Sequence, residues 1–240
     1  MYTLPISFTL SLLTIQILSP TYLIKTTWAE HLPSITVKSR PNATEVALAL
    51  QVKYDAVLDF TADFVHTYKS SALRTEMTER GDVMIKKPGK MKWNYTTPEK
   101  KLLVSDGVKI YWYVPDDKQV YVSDMPPLNE ITTPVMFLSG NGHIVRDFNV
   151  SYENLTDLEP DLYALKLIPR NLDRDYEWFT LVVNSDTLQI QRLLAHDLQG
   201  GTSLFLLTNL KENVNLRDAD FIFRIPRGTD VINSDNNFQE

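Results

Sequence analysis

Leu103–Pro115, LVSDGVKIYWYVP, is the stretch that decides the fold class. At its centre, Asp106-Gly107 is a dipeptide that strongly favours the tight turn of a β-hairpin. On either side of this turn, apolar residues alternate with other residues, as they do in strands that are buried on one face. The alternating residues are Leu102 and Val104 before the turn, and Ile110 and Trp112 after it. The segment therefore predicts two antiparallel strands joined at Asp106-Gly107.

The same period of two recurs on both sides of this hairpin. Phe60, Ala62 and Phe64 alternate with Thr61 and Asp63, and turn sequences containing Gly, Pro and Asp separate the successive runs. Strands are predicted at residues 60–67, 82–85, 91–95, 102–104, 110–112, 147–152, 161–168, 178–184, 189–196, 203–210 and 221–225. We predict a mainly β (α+β) fold in a single domain, an antiparallel meander of about eleven strands that curls into a barrel or half-barrel.

Two segments break the strand pattern and are predicted to be helical. Between Glu45 and Val57, apolar residues recur at helical spacing, which indicates one amphipathic helix. The segment Pro126–Gly142 contains three prolines and the apolar patch Val135 to Leu138, so we predict a connection with one or two short helices.

The first 29 residues differ from the rest of the chain. They contain no Asp or Glu, and an apolar stretch from Leu4 to Leu18 is followed by Thr27-Trp28-Ala29, which has the small residues of a signal-peptidase site. We predict a cleaved secretory signal at residues 1–29, a loose arm at 30–43, one folded domain at 44–232 and a tail at 233–240. An uncleaved membrane anchor that reaches Ile24 is the alternative.

The composition excludes several kinds of function. The formal net charge is −6, and no cluster of Lys and Arg offers a track for phosphates, so we expect no nucleic-acid partner. The chain has no cysteine, which excludes disulfides, thiolate catalysis and a lipid-modified N-terminal Cys. We expect the mature chain to be soluble.

Motifs for catalysis and for cofactor binding are also missing. The four histidines, at positions 31, 66, 143 and 196, lie far apart without metal-ligand spacing, and the glycine motifs of nucleotide sites and nucleophile elbows do not occur. Asp55, Asp59 and Asp63 have a spacing that ordinary solvated surfaces and turns also produce. We therefore expect no enzyme activity, no metal and no cofactor.

One predicted sheet face carries an excess of large and flexible apolar side chains. Met and aromatic side chains repack around guests of variable shape, so an adaptable cavity is one interpretation and a solid core is the other. The alternation alone does not decide between them. The candidate cavity residues are Phe60, Phe64, Met91, Trp93, Tyr95, Leu102, Val104, Ile110 and Trp112.

Four longer motifs follow one another in a fixed order. They are Lys87–Tyr95 (KPGKMKWNY), Leu103–Pro115, Thr133–Phe148 (TPVMFLSGNGHIVRDF) and Phe221–Ile232 (FIFRIPRGTDVI). Together they resemble the periplasmic outer-membrane lipoprotein carrier (LolA) family, whose corresponding motifs are R-P-x-x-F/L-x-W, a D-G hairpin, a lid-helix segment and a closing strand. Each motif alone is weak, and the resemblance depends on their order and spacing over nearly the whole mature chain.

This resemblance implies an incompletely closed antiparallel β-barrel whose open mouth is covered by helices. It also implies a monomeric periplasmic chaperone that binds the acyl chains of lipoproteins. An inner-membrane lipoprotein-releasing ABC transporter complex would supply them, and an outer-membrane lipoprotein receptor would accept them. The residues expected in the lid are Leu50, Tyr54, Val57, Val135, Met136 and Leu138.

The resemblance leaves one position and two other functions open. Many family members have an Arg before the proline of the first motif that latches the lid shut, and this chain has Lys87 there. A lysine has a flexible stem and no planar fork, so a latch at Lys87 would be looser. An envelope-stress sensor on the same fold and a binder of another lipophilic ligand are the alternative functions.

Overall fold

In the computed structural model, residues 40–126, 137–140, 142–171 and 176–233 are described. From Pro41 onward the chain forms one compact unit. The predicted signal at residues 1–29, most of the predicted arm at 30–43 and most of the tail at 233–240 lie outside the described residues. No helix in the described part of the chain is both long enough and apolar enough to cross a membrane.

The described residues form twelve strands, two α-helices and one 3-10 helix. The strands are β1 (Asp59–Ser70), β2 (Thr75–Lys86), β3 (Lys90–Thr97), β4 (Lys101–Asp106), β5 (Lys109–Val114), β6 (Gln119–Asp124), β7 (Phe148–Tyr152), β8 (Leu162–Pro169), β9 (Tyr176–Asn184), β10 (Ile190–Asp197), β11 (Thr202–Glu212) and β12 (Asp230–Asn233). The helices are α1 (Ala43–Ala56) and α2 (Ile144–Asp147), and the 3-10 helix is Asp218–Phe221.

All twelve of these strands belong to one open sheet. Their order is β12-β6-β5-β4-β3-β2-β1-β11-β10-β9-β8-β7, so β12 and β7 lie at its two ends. Neighbouring strands are antiparallel except β12, which runs parallel to β6. The predicted mainly β fold with an incompletely closed sheet is thus confirmed.

The predicted strand at residues 221–225 is wrong. Phe221 ends the 3-10 helix and is fully buried, and Phe223 lies against the rings of Tyr111 and Tyr113, with centroids 5.4 and 5.6 Å away. The alternation of these phenylalanines reflects side-chain packing against the sheet and not backbone pairing. The strand β6 was not predicted either. It pairs with β12, the strand at one end of the sheet.

The helix α1 covers one face of the sheet, which we call the inner face. It begins with a capping box, in which the Asn42 side chain accepts a hydrogen bond from the Glu45 N–H and the Glu45 carboxylate accepts one from the Asn42 N–H, both at 2.9 Å. Its buried residues include Val46, Leu50 and Tyr54, as the helical spacing predicts. The main hydrophobic core lies between this helix and the inner face.

The outer face of the sheet is covered locally by loops and by the C-terminal segment. Leu162, Ala164 and Val182 form a separate small cluster there. The chain after β11 is held to the sheet by the buried carboxylate of Asp59, which accepts hydrogen bonds from the N–H groups of Val214 (2.7 Å) and Leu216 (3.1 Å).

We predict that Asp59→Ala lowers the free energy of unfolding by about 2–4 kcal/mol, because it leaves two backbone N–H groups without an acceptor. Asp63→Ala on the same strand is the matched control, since Asp63 is exposed, and it should cost less than about 0.5 kcal/mol. Denaturant unfolding measures both variants. Equal losses in the two variants would show that Asp59 does not anchor the C-terminal segment.

Candidate functional site

The candidate cavity residues on β1 and β3 come together on the inner face. Phe60, Phe64, Met91, Trp93 and Tyr95 are all less than 10% exposed and belong to one core cluster. The ring of Phe64 meets the rings of Trp93 and Tyr95 at steep angles, with centroids 5.1 and 4.9 Å away. These contacts make a continuous aromatic layer across three strands.

Residues that lie directly opposite each other on antiparallel strands point to the same face of the sheet. The register therefore shows on which face each of the remaining candidates lies. Ile110 and Trp112 lie on the inner face, are half-buried and pack against the core cluster. Leu102 and Val104 instead lie on the outer face, opposite Asn94 and Lys92, and Leu103 takes the inner position opposite Trp93. The prediction for Leu102 and Val104 is wrong because residues 102–104 are all apolar, and an unbroken apolar run does not reveal its inward side.

The predicted lid residues on α1 and just after it lie over the part of the inner face that contains Phe60 and Leu207. Leu50, Tyr54 and Val57 are buried, as is Leu138 from the segment before α2. With Phe60 and several side chains of β10 and β11, they enclose a cavity of about 30 Å³. Val135 and Met136 lie outside the described residues.

Phe137 lies beside the predicted lid residue Leu138, but the sequence pattern did not single it out. It is fully buried and stacks on Tyr54, with centroids 4.8 Å apart, while the Tyr54 hydroxyl donates a hydrogen bond to the Phe137 carbonyl. Its ring also reaches Phe179 on β9, with centroids 5.6 Å apart. The signal was present in the apolar patch at residues 135–138, but that pattern does not show which members point inward.

A buried amide joins α1 to α2. The side-chain oxygen of Gln51 accepts a hydrogen bond from the Ile144 N–H at 2.7 Å, and the side-chain nitrogen donates to Asp55 at 2.7 Å. Gln51 is 5% exposed, so both of its polar ends are satisfied inside the structure. The lid elements are therefore fastened to one another as well as to the sheet.

Lys87 connects the turn between β2 and β3 to the lid. Its Nζ donates a hydrogen bond to the Tyr54 carbonyl and lies 3.1 Å from the centroid of the Tyr54 ring. A Cβ on Gly140 would come within 3.0 Å of the Lys87 stem, and the N–H of Gly89 donates to the Ser139 carbonyl at 2.8 Å. Lys87 and Gly89 of this turn thus contact α1 and the segment that contains Ser139 and Gly140.

Burial lowers the pKa of Lys87 to about 8, although the nearby carboxylates of Asp55 and Glu212 partly offset this effect. An ammonium group in this position has lost much of its water and gained one carbonyl and one aromatic face in return. The protonated form of Lys87 is therefore less stable in this position than it is in water.

A polar cluster occupies the inner face beyond the aromatic layer. His66 Nε2 lies 2.7 Å from Ser203 Oγ, and His66 Nδ1 lies 3.2 Å from the carboxylate of Glu79, which also accepts a hydrogen bond from Lys101 at 2.9 Å. Burial lowers the pKa of His66, against the opposing effect of Glu79. The sequence pattern did not indicate this cluster, because its members come from four different strands.

The order hydroxyl, imidazole, carboxylate is that of a hydrolase triad, but the surroundings do not fit one. Ser203 lies inside β11 and pairs with Tyr68 on one side and Ala195 on the other, so the backbone beside it is engaged in the sheet. Acyl transfer requires N–H groups that are free to stabilise an oxyanion. What the described geometry shows is a hydrogen-bonded polar cluster.

Comparison with known proteins places these features in a family. Residues 55–224 match the family model described as outer membrane lipoprotein carrier protein LolA. An outer-membrane lipoprotein carrier protein of Bordetella avium is 33% identical over 72% of this chain and 79% of its own length. One from Nitrosomonas europaea is 27% identical over 83% of this chain and 94% of its own length. A crystal structure of a LolA superfamily protein from Nitrosomonas europaea aligns with a TM-score of 0.44 and 14% identity, covering 77% of this chain and 99% of that one. The chain belongs to the outer membrane lipoprotein carrier protein (LolA) family.

Proposed function

We propose that this chain is a periplasmic carrier that binds the acyl chains of lipoproteins released from the inner membrane and delivers them to an outer-membrane receptor. The observation that carries the proposal is the apolar inner face closed by a lid of separate elements. The curated relatives are named as carriers of this kind, which supports the same role here.

Transfer through water explains why such a site is needed. Each CH₂ group of an acyl chain costs about 0.8 kcal/mol to expose, so a lipoprotein in transit needs an apolar shelter. Ligand pockets usually measure roughly 300–1,000 Å³, whereas the cavity under the lid measures about 30 Å³. The lid side chains therefore occupy the space that cargo takes, and lid and cargo compete for the inner face.

This competition gives a carrier without an energy source a way to release its cargo. Closing the lid buries Leu50, Tyr54 and Leu138 again and returns part of the free energy spent on removing the acyl chains. Lys87 acts as the latch of the closed state, through its hydrogen bond to the Tyr54 carbonyl. Because a lysine offers one flexible ammonium in place of a planar fork, the latch opens at a lower cost than an arginine latch would.

The family of this chain supports a proposal for its partners. We propose that an inner-membrane lipoprotein-releasing ABC transporter complex loads the chain, that an outer-membrane lipoprotein receptor unloads it, and that it works as a secreted monomer. We propose that it acts by binding and not by catalysis, which the pairing of the Ser203 backbone within the sheet supports.

The first test uses a synthetic triacylated lipopeptide and the same peptide without acyl chains. We expect the purified chain to hold the acylated peptide in a soluble complex in gel filtration, because only the acyl chains match the inner face, and to leave the other peptide free. Equal behaviour of the two peptides would contradict the proposal. Binding of a small lipophilic ligand with exclusion of the lipopeptide would favour a sensor or another kind of binder.

Removing a lid side chain should make uptake easier. We predict that Leu138→Ala binds the lipopeptide about tenfold more tightly for each 1.4 kcal/mol of lid packing that it removes. Leu162→Ala is the matched control, because Leu162 is equally buried but lies in the outer cluster. Both variants should lose about 2–5 kcal/mol of stability, so affinity is measured where both remain folded. Unchanged or weaker binding by Leu138→Ala would argue against competition.

The latch should make stability depend on pH. The pKa of Lys87 is about 8 in the folded chain, below the 10.5 of an unburied lysine, so between these values the unfolded chain binds more protons. The free energy of unfolding should therefore rise with pH from about 8 to 10.5 in the wild type relative to Lys87→Met. Lys90→Met, which removes a neighbouring ammonium paired with Asp218, is the control and should keep the wild-type slope. Identical slopes in the wild type and Lys87→Met would refute the buried latch.

A further inference from the structure

Trp93 carries a buried hydrogen-bond donor without a protein acceptor. Its side chain is completely buried, and its indole Nε1 has no hydrogen-bond partner among the described residues. The nearest rings, those of Phe64 and Phe205, meet the indole at 66° and 63°, and an aromatic face is a weak acceptor compared with a carbonyl oxygen. Buried polar groups are nearly always paired, so this one calls for an explanation.

Trp93 lies between an apolar region and a polar region of the inner face. On one side, Phe64 contacts Trp93 and pairs with Leu207, which lines the cavity under the lid. On the other side, Phe205 contacts Trp93 and stacks on His66, with centroids 4.0 Å apart, where the polar cluster begins. The inner face thus changes from apolar to polar across Trp93.

The chemistry of the indole limits what can pair with it. An indole N–H only donates, so its partner must be an acceptor. The one cation of the polar cluster, Lys101, is already paired with Glu79 and Glu99, and the carboxylate of Glu79 disfavours a second anion nearby. A neutral carbonyl therefore fits this place better than the carboxylate of a free fatty acid.

We infer that Trp93 is a specificity-determining residue of the acyl site, and that its indole N–H donates a hydrogen bond to the ester or amide carbonyl at the head of a bound acyl chain. The inference rests on the proposed function, since it requires acyl chains on the inner face. The chain tail then lies towards the lid, and the polar end of the lipid lies towards His66 and Glu79. Trp93 distinguishes acyl chains from plain alkyl chains, which the apolar walls alone do not.

The experiment compares two lipids that differ only in the carbonyl group. Vesicles contain equal amounts of a diacylglycerol and of the dialkylglycerol ether with the same chain length, and lipid carried away by the protein is counted by mass spectrometry after gel filtration. We expect the wild type to carry the ester in about five- to tenfold excess. Trp93→Phe should carry the two lipids almost equally. Trp178→Phe removes an indole N–H on the outer face that has no partner among the described residues, and it should keep the wild-type excess.

Each result decides the question. A wild type that carries both lipids equally, or a Trp93→Phe variant that keeps the ester excess, overturns the role of Trp93 and leaves the carrier function standing. A protein that removes neither lipid contradicts the carrier function, and the inference fails with it. If Trp93→Phe does not fold, the wild type still decides, because the Trp93 indole N–H resonance should move downfield with the ester and not with the ether.

Discussion

Tyr54 is the contact on which the closed state of this protein depends. Its ring stacks on Phe137, its hydroxyl donates to the Phe137 carbonyl, and its own carbonyl accepts a hydrogen bond from Lys87. One residue of α1 thus binds the segment before α2 and the turn between β2 and β3 at the same time. Burial raises the pKa of the Tyr54 hydroxyl, so the group remains a donor throughout the physiological range.

The cover over the inner face matters for the carrier function proposed above. An inner face apolar enough to hold acyl chains would stick to other molecules if it were left bare. Here side chains of the same protein cover the aromatic layer of Phe64, Trp93 and Tyr95, and the cavity that described residues enclose beneath α1 measures about 30 Å³. Polar contacts hold this cover in place. They are the hydrogen bonds of Lys87, Tyr54 and Gln51, and they are directional. The apolar contacts supply the stability of the closed form, and the polar ones define its geometry.

Much of the fold was predictable because local chemistry determines it. The Asp106-Gly107 hairpin forms as expected, with the Asp106 carboxylate accepting from the N–H groups of Val108 and Lys109, and the apolar spacing of α1 marks its buried stripe. The inward side of residues 102–104 was not predictable, since it depends on the register that the whole of β3 imposes on β4. The same is true of Phe221, which fills a site on the outer face that only the assembled sheet creates.

Sites built across the sheet were hidden for a related reason. His66, Glu79 and Ser203 meet only because β1 lies between β2 and β11, and the pairing of β1 with β11 brings together His66 and Ser203, which are 137 positions apart. Trp93 was chosen for its size, whereas the property that distinguishes it, an N–H without a partner, appears only when all of its neighbours are in place. Composition and spacing reveal which side chains are available, and tertiary packing determines which polar atoms are left unsatisfied.

The open sheet has a consequence for how this protein behaves in a crowded compartment. An unclosed sheet has two edges, and edge strands expose N–H and C=O groups that invite pairing with other chains. The outermost strands are also among the shortest in the described part of the sheet, since β7 spans five residues and β12 spans four. A template of that length offers few hydrogen bonds to an incoming strand. The two edges of this open sheet therefore offer other chains little opportunity for pairing.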